Sequence, residues 1–465
     1  MAGGRPRWRH VVVGGKRTGK RAKPPSEQRS FLEDHLPSRD QRNADFQERT
    51  RMSKLLGLRV KNFKAFEDLA IGQVQYSEGS ALPRFACFIG PNGAGKSSLL
   101  DVFGFISDCM LEGVEVACDK PHRGGFERLR TQGQRGPISF ELFFDDDDAA
   151  RPIVYDFQID LRKGIPLVVA ENLRQRRKNE IRGKPYYFLK LKNGAGKAWE
   201  GDFLSGDDVG SFINLADLNR LALTTLGNLK EHPRIVRLRE YIEQWYLSYF
   251  VPDAARIQPP AGPQRWLDGK GSNIANVLQY FQRTYRKQFT AIVKRIVTSI
   301  PGLEGLAIDV SDDKRLLLRF NEAGYQDPFY QQSMSDGTLK MLAYAVLLAD
   351  PSPRPFIGIE EPENGLYIEL IERLSQLFVQ HTGKTDAPTQ IFVTTHLPYF
   401  VDALQPEQVW MMRKDERGRS HATRVADLPL VARLSAEGIP LGAQWYSRHF
   451  EVPTAAAQPR RKARR

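Results

Sequence analysis

Long apolar runs are missing from this 465-residue chain. A bilayer-spanning helix needs about 18 or more such residues, and the longest clear stretch, Leu342 to Ala349, is far shorter, so no membrane partner is expected. Cysteine is scarce. Cys87, Cys109 and Cys118 show no metal-ligand spacing and fall in or near apolar segments, which speaks against a zinc site and for a reducing, cytoplasmic setting. The basic N-terminus has only Val11-Val12-Val13 as an apolar run, too short for the core of a secretory leader. The middle of the chain also lacks net charge. Of the overall +13, residues 1–51 contribute +7 (13 Lys/Arg against 6 Asp/Glu) and Arg460–Arg465 contribute +5, leaving +1 for residues 52–459. The near-neutral body thus gives polyanion binding no independent support, whereas the two ends either hold polyanions loosely at low salt or are solubilising or incidental tails.

Residues 1–51 are rich in Arg, Gly and Pro and have no sustained periodicity. An alternating strand pattern opens at Met52, in M-S-K-L-L-G-L-R-V-K-N-F. The expectation is that Met52 is the native start, with residues 1–51 a basic disordered extension or a mis-assigned reading frame. Peptides from natively expressed protein that map upstream of residue 52 would overturn it.

The stretch around which the chain is organised is Gly90-Pro91-Asn92-Gly93-Ala94-Gly95-Lys96-Ser97-Ser98, which fits the phosphate-binding pattern G-x-x-x-x-G-K-[ST]. Arg84 to Ile89 reads as a buried strand and Ser98 onward as a helix, so the order is strand, glycine loop, helix. Glycines let the backbone wrap an anion with its N–H groups turned inward, and the helix adds the positive end of its dipole. Lys96 would neutralise the β- and γ-phosphates of ATP, and the Ser97 hydroxyl would complete a Mg²⁺ shell.

The pentapeptide recurs at Asn193-Gly194-Ala195-Gly196-Lys197, with Leu191 in place of the leading glycine and Ala198 in place of the serine. Strand-like residues flank it, and Asn-Gly favours a hairpin, so this copy is expected to be a turn. Between Ile138 and Leu191 four alternating segments separated by Asp, Gly and Pro clusters read as antiparallel strands. The run Asp145–Asp148 between two of them is expected to be a solvated loop. Residues 210–300 read as helical, with one amphipathic helix from Ile274 through Ile296. Leu316–Phe320 reads as a strand returning the chain to the nucleotide domain.

The last third carries acids and a histidine at strand ends. Pro355 to Glu361 reads as a buried strand closing on Glu360 and Glu361, and acids at the C-terminal end of a central parallel strand face the ligand crevice. Glu360 would hold the Mg²⁺ shell, and Glu361 would orient or deprotonate the attacking water. Ser335-Asp336-Gly337-Thr338 precedes a strongly helical run, for which an ordinary N-cap is the competing explanation. Thr394-Thr395-His396 ends another apolar strand, placing His396 where it could sense the γ-phosphate.

These four blocks together resemble the ATPase heads of the ABC, SMC and RecF-like class, most closely the predicted AAA-type ATPases called AAA_21. The resemblance runs from about Met52 to Ser447 and includes the closing L-G-A-Q-W-Y-S. It implies an α/β P-loop NTPase head of the ABC/SMC type with an antiparallel β-subdomain and an inserted helical lobe. The expected divisions are a basic extension (1–51), the N-terminal half of the head (52–140), strands and helical lobe (141–310), the C-terminal half (311–447) and a basic tail (448–465). It further implies an ATP-dependent homodimer in which Ser335 and Gly337 of one copy approach the γ-phosphate held by the other. Asp336 departs from the transporter-type signature, since phosphate would repel it unless it caps its own helix, and Glu360 stands where many heads have Asp. For the glutamine that contacts Mg²⁺ in such heads, Gln132 and Gln134 are the candidates.

The reading that follows is an ATP hydrolase whose dimerisation switches or clamps a partner, with DNA one candidate in repair or antiphage defence. The alternative is an ATP-sensing subunit with little turnover that controls a separate effector protein such as a nuclease. A transporter ATPase fits less well, because Ser98 to Ser335 spans 237 positions filled with added strands and helices.

Overall fold

A computed structural model describes residues 54–74, 79–145, 152–176, 185–200, 210–383 and 389–450. Both basic ends, Met52 and most of the Asp145–Asp148 run lie outside them. The central sheet has six strands in the order Tyr246–Ser248, Phe356–Glu360, Gln390–Thr395, Phe85–Ile89, Val409–Lys414 and Ser420–Arg424. All neighbours are parallel except the last pair. Side chains alternate across a strand, so each central strand divides its residues between two cores. Ala86, Phe88, Phe356, Phe392 and Met412 join the core that contains the helix Lys96–Leu111. Cys87, Ile89, Ile359, Val393 and Met411 join the other, which contains the helices Asp336–Ala349 and Ile368–Thr382.

The eight-stranded sheet is antiparallel throughout, from Phe66–Gly72 and Leu55–Phe63 through Ile138–Phe144, Ile153–Arg162, Ile165–Gln175 and Tyr186–Lys192 to Ala195–Ala198 and Ser211–Asn214. Its expected strands occur where the alternation places them. The echo of the glycine loop is a two-residue hairpin turn: Asn193 and Gly194 have φ of 53° and 76°, and Lys192 pairs with Ala195. Both turn residues need the left-handed region, which Asn and Gly enter most readily. Glu171 ties this sheet to the chain beyond it. Buried, it accepts hydrogen bonds from Tyr155 Oη (2.9 Å) and from the N–H groups of Ala222 (2.6 Å) and Leu223 (2.8 Å). Burial pushes its carboxyl up to about 7 against the pull of those donors.

Besides the strand Ser211–Asn214 of the eight-stranded sheet, residues 210–322 differ from the sequence expectation in three ways. The amphipathic pattern is two helices, Ile274–Thr284 and Phe289–Thr298, with Tyr285 outside helical geometry at φ −111° and ψ 44°. Thr284 and Tyr285 are poor helix formers, and Tyr285 packs edge-on against Tyr280, with ring centroids 6.1 Å apart. Tyr246–Ser248 is not helical but forms the edge strand of the central sheet beside Ile357–Ile359. Three residues are too few for a period to show. The strand Leu316–Glu322 belongs to a separate three-stranded sheet with Leu303–Val310 and Phe329–Tyr330, rather than to the central one.

Candidate functional site

The strand order brings three C-terminal ends side by side, those of Phe356–Glu360, Gln390–Thr395 and Phe85–Ile89, with Glu360 opposite Thr394 and Thr395 opposite Ile89. The glycine loop leaves the third of these. Gly90, Gly93 and Gly95 have φ of 151°, 79° and 103°. A Cβ at Gly90 would lie 2.3 Å from the Met412 carbonyl oxygen, so the loop turns too close to the neighbouring strand for any side chain there. The helix starts at Lys96 with no side-chain cap and no acid in its first turn, which leaves its N–H groups and dipole open to an anion. Lys96 Nζ donates to Gly90 O (2.9 Å) and Pro91 O (3.3 Å), closing the loop on itself. Burial pushes its ammonium below the ordinary lysine range, while Glu361, Glu363 and Glu360 pull the other way.

Asp101, one turn further along the helix, is nearly buried and anchors it. Its carboxylate meets Arg123 Nη2 and Lys64 Nζ, each at 2.6 Å. Burial would raise that carboxyl, but the two cations hold it below its usual value.

Only the first of the two predicted acids ends its strand. Glu361 lies one residue beyond, in the left-handed region at φ 42°, a conformation that costs a non-glycine residue about 1 kcal/mol or more. Its N–H donates to Thr394 O (3.0 Å), which crosses to the histidine strand, and Asn364 Nδ2 donates to its Oε2 (2.9 Å). His396 Nδ1 stands 3.3 Å from Glu361 Oε1 without hydrogen-bond alignment. Glu361 and His396 remain partly open to solvent.

Ser335 and Gly337 stand at the start of a different element. Ser335 is the N-cap of the helix Asp336–Ala349, its Oγ accepting from Thr338 N (3.1 Å). Lys340 on that helix donates to Asn364 O (2.6 Å), which fixes it beside the loop that follows Glu361. Asp336 does not cap its helix. Its charge is met by Arg256, which also pairs with Asp253 (2.8 Å) and donates to Met334 O (3.0 Å). Gln134 Nε2 donates to Glu67 Oε1 (2.9 Å), and the Gln132 backbone carbonyl accepts from Arg419 (2.8 Å), which places both glutamines near the turn before Ile138.

Two side chains of consequence escaped the sequence reading. Arg256 sits in a stretch without periodicity, 80 residues before its partner Asp336. Glu363 lies in the same acidic block as Glu361, yet it is buried where Glu361 is not. Its Oε1 accepts from Thr395 Oγ1 (2.5 Å) and from the His396 N–H (3.3 Å), while Oε2 has no partner. Burial raises the Glu363 carboxyl, against the lowering effect of those bonds. A third acid in an otherwise turn-like P-E-N-G was the available signal.

A family model described as "AAA domain, putative AbiEii toxin, Type IV TA system" matches residues 85–402, which take in the glycine loop, the Ser335 segment, the acidic block and His396. A search of curated proteins finds no match. Similar solved structures include the "SmcHead bound to the C-winged helix domain of ScpA", 14% identical with a TM-score of 0.47, covering 79% of this chain and 97% of that one. The "SMC head domain from Thermotoga maritima" is 16% identical with a TM-score of 0.38, covering 80% and 98%. An Smc head domain "bound to the C-terminal domain of ScpA derived from Pyrococcus furiosus" is 12% identical with a TM-score of 0.44, covering 80% and 96%.

Proposed function

The chain belongs to the AAA_21 family, its fold that of an α/β P-loop NTPase head, and from that premise we propose that it binds and hydrolyses ATP and uses the nucleotide to control its association with a second copy. The observation that carries this reading is the convergence of Lys96, Glu361 and His396 at the ends of adjacent parallel strands.

The loop N–H groups and the helix N-terminus would cradle the phosphates, with Lys96 leaving the Gly90 and Pro91 carbonyls for phosphate oxygens. The donors nearby fit magnesium, a hard cation served by oxygen ligands. Ser97 and Glu360 supply a hydroxyl and a carboxylate, and the described residues hold no cluster of three or more His, Cys, Asp or Glu for an all-protein cage. A magnesium ion held by Ser97 and Glu360 would neutralise phosphate charge. Glu361, kept in place by Asn364, would orient the attacking water and take its proton. His396 would register the γ-phosphate. Ser335 and Gly337 would serve the nucleotide of the second copy, since Arg256 masks the Asp336 charge that would otherwise repel phosphate.

The test is turnover. Lys96→Ala is expected to lose nucleotide affinity by about 10- to 100-fold, the worth of a hydrogen bond to a charged group, and to lose steady-state ATPase activity. Wild-type turnover no faster than that of Lys96→Ala would sink the hydrolase reading. It would leave the second one, an ATP-sensing head that controls a separate effector protein, which the toxin–antitoxin wording of the family description favours.

Glu363 is read as a positioning residue that acts through Thr395 and His396. Glu363→Leu is expected to lower kcat about 10-fold or more with KM little changed, and Glu363→Gln to restore most of it, because both bonds end on Oε1, which an amide oxygen can replace. Equal kcat for wild type and a folded Glu363→Leu protein would remove Glu363 from the site.

A further inference from the structure

The helix Asp336–Ala349 buries a lysine against the acidic block. Lys340 is 6% exposed and stands between Leu339 and Met341, which are fully buried. Its bonded partner is a neutral group, the Asn364 carbonyl, at 2.6 Å. Burial pushes its ammonium below the ordinary lysine range, and the acids that oppose this, Glu363 first and then Asp336 and Glu361, act through space. Leucine or methionine would fill such a position at less cost, because taking an ammonium out of water is expensive and one carbonyl returns only part of it. A cost of this kind, kept in the middle of an apolar helix, points to a use.

The residue that Lys340 holds is the one that holds Glu361. Asn364 closes the turn, its N–H donating to Glu361 O at 3.1 Å and its Nδ2 to Glu361 Oε2 at 2.9 Å. It therefore grips both the backbone and the carboxylate of Glu361. From the other side, the Glu361 N–H donates to Thr394 O at 3.0 Å, so the left-handed backbone at φ 42° is spanned between the histidine strand and the helix that carries Lys340. The helix is seated on the same segment at its start. A Cβ on Gly337 would lie 3.3 Å from Leu370 Cδ1 and 3.4 Å from Leu366 Cδ2, so even a methyl group would crowd that contact.

We propose that Lys340 is a positioning residue for hydrolysis, its ammonium pinning the turn from Glu361 to Asn364 and thereby aiming the Glu361 carboxylate at the attacking water. This rests on the preceding reading, in which Glu361 takes the proton, and adds the group that keeps it in place. A base works only while its oxygen stays within hydrogen-bond reach of the water, and a displacement of about 1 Å costs on the order of 100-fold in rate. Asn364 cannot supply that constancy by itself, because it moves with the turn it closes. Lys340 can, since its bond runs from a packed helix to the turn, and groups braced by regular elements are held more precisely than groups braced within a loop.

The experiment compares the full chain as wild type, Lys340→Met and Asn364→Ala in steady-state ATP turnover, with equilibrium binding of a fluorescent ATP analogue and thermal melting measured alongside. Methionine fills the space but has no donor. Lys340→Met is expected to lower kcat about 10- to 100-fold, with KM and nucleotide affinity within about twofold of wild type and the melting temperature unchanged or higher. Asn364→Ala cuts the same relay at its other end and is expected to lower kcat by a similar factor, so it decides the matter if Lys340→Met does not fold. In a Glu361→Gln background, Lys340→Met is expected to change the residual single-turnover rate by less than about twofold, because the carboxylate it positions is already gone. A merely structural role would lower that rate again. Unchanged kcat in Lys340→Met or, should that variant not fold, in Asn364→Ala, an affinity loss as large as the kcat loss, or a further loss of about 10-fold in the Glu361→Gln background overturns the proposal and leaves the hydrolase reading standing. Absence of turnover in the wild type removes that reading and this proposal with it.

Discussion

Replacing Glu361 by Gln is expected to lower ATP turnover by about 10²- to 10⁴-fold, or some 3–5 kcal/mol of barrier, while nucleotide binding survives. The amide keeps the shape and the contact with Asn364 but cannot take a proton from water. The φ of 42° at this position sharpens the prediction, since strain of this kind persists where a side chain must be presented in a particular direction. His396, 3.3 Å away, does not replace the lost base, because its proposed work is to register the phosphate. The same variant should accumulate an ATP-bound dimer, visible as a doubled mass by light scattering, because nucleotide would no longer be consumed. Turnover within threefold of wild type would remove Glu361 from the chemistry, and a monomer at saturating ATP would remove the dimer.

The second large effect lies in the core beneath the site. Phe103, on the helix that starts at Lys96, is fully buried, and its ring centroid lies 4.6 Å from that of Phe356, 5.6 Å from Phe392 and 5.4 Å from Trp245. Phe356 and Phe392 lie on the strands that end at Glu360 and Thr395, so one ring joins the helix that starts at Lys96 to both neighbouring strands of the candidate site. Phe103→Ala is expected to cost about 3–5 kcal/mol, from lost transfer energy and from the cavity left behind. The measurement is the urea midpoint at constant slope, and a loss below about 1 kcal/mol would mean that the neighbours collapse into the space. Saturating ATP should recover part of the loss by mass action, since the helix that Phe103 braces supplies Lys96 and Ser97.

Much of this arrangement was legible beforehand, for identifiable reasons. The glycine loop is read from local chemistry, because positive φ at Gly93 and Gly95 and a helix start at Lys96 depend on the residues themselves. The antiparallel strands from Ile138 onward follow from alternation, and the copy at Asn193 resolved into a hairpin because Leu191 and Ala198 denied it the loop's ends. The single helix expected over Ile274–Ile296 failed for a related reason. A continuous apolar stripe tells which face is buried, but a break at Tyr285 leaves that stripe nearly in phase. Tyr246–Ser248 could not be seen as a strand at all, since only Ile357–Ile359 beside it makes it one.

The sequence by itself determined which chemistry is available: a loop shaped for phosphate, a lysine and a serine at its exit, carboxylates and a histidine at strand ends, and no charge to spare in the body. Tertiary structure alone decided how those groups divide the work. Glu361 and Glu363 are the same residue type two positions apart, and only packing exposes one and buries the other. Asp336 is neutralised by an arginine 80 positions earlier, and Gln390 bonds the backbone of Leu55, 335 positions away, through both its oxygen and its nitrogen. Trp445, Tyr446 and Arg448 come to the glycine loop from the far end of the described chain. Periodicity states which face of an element is apolar but not which element will cover it. In a parallel sheet every neighbour is reached through a long crossover, so the partners that complete this site are set by the fold and not by nearness in the chain.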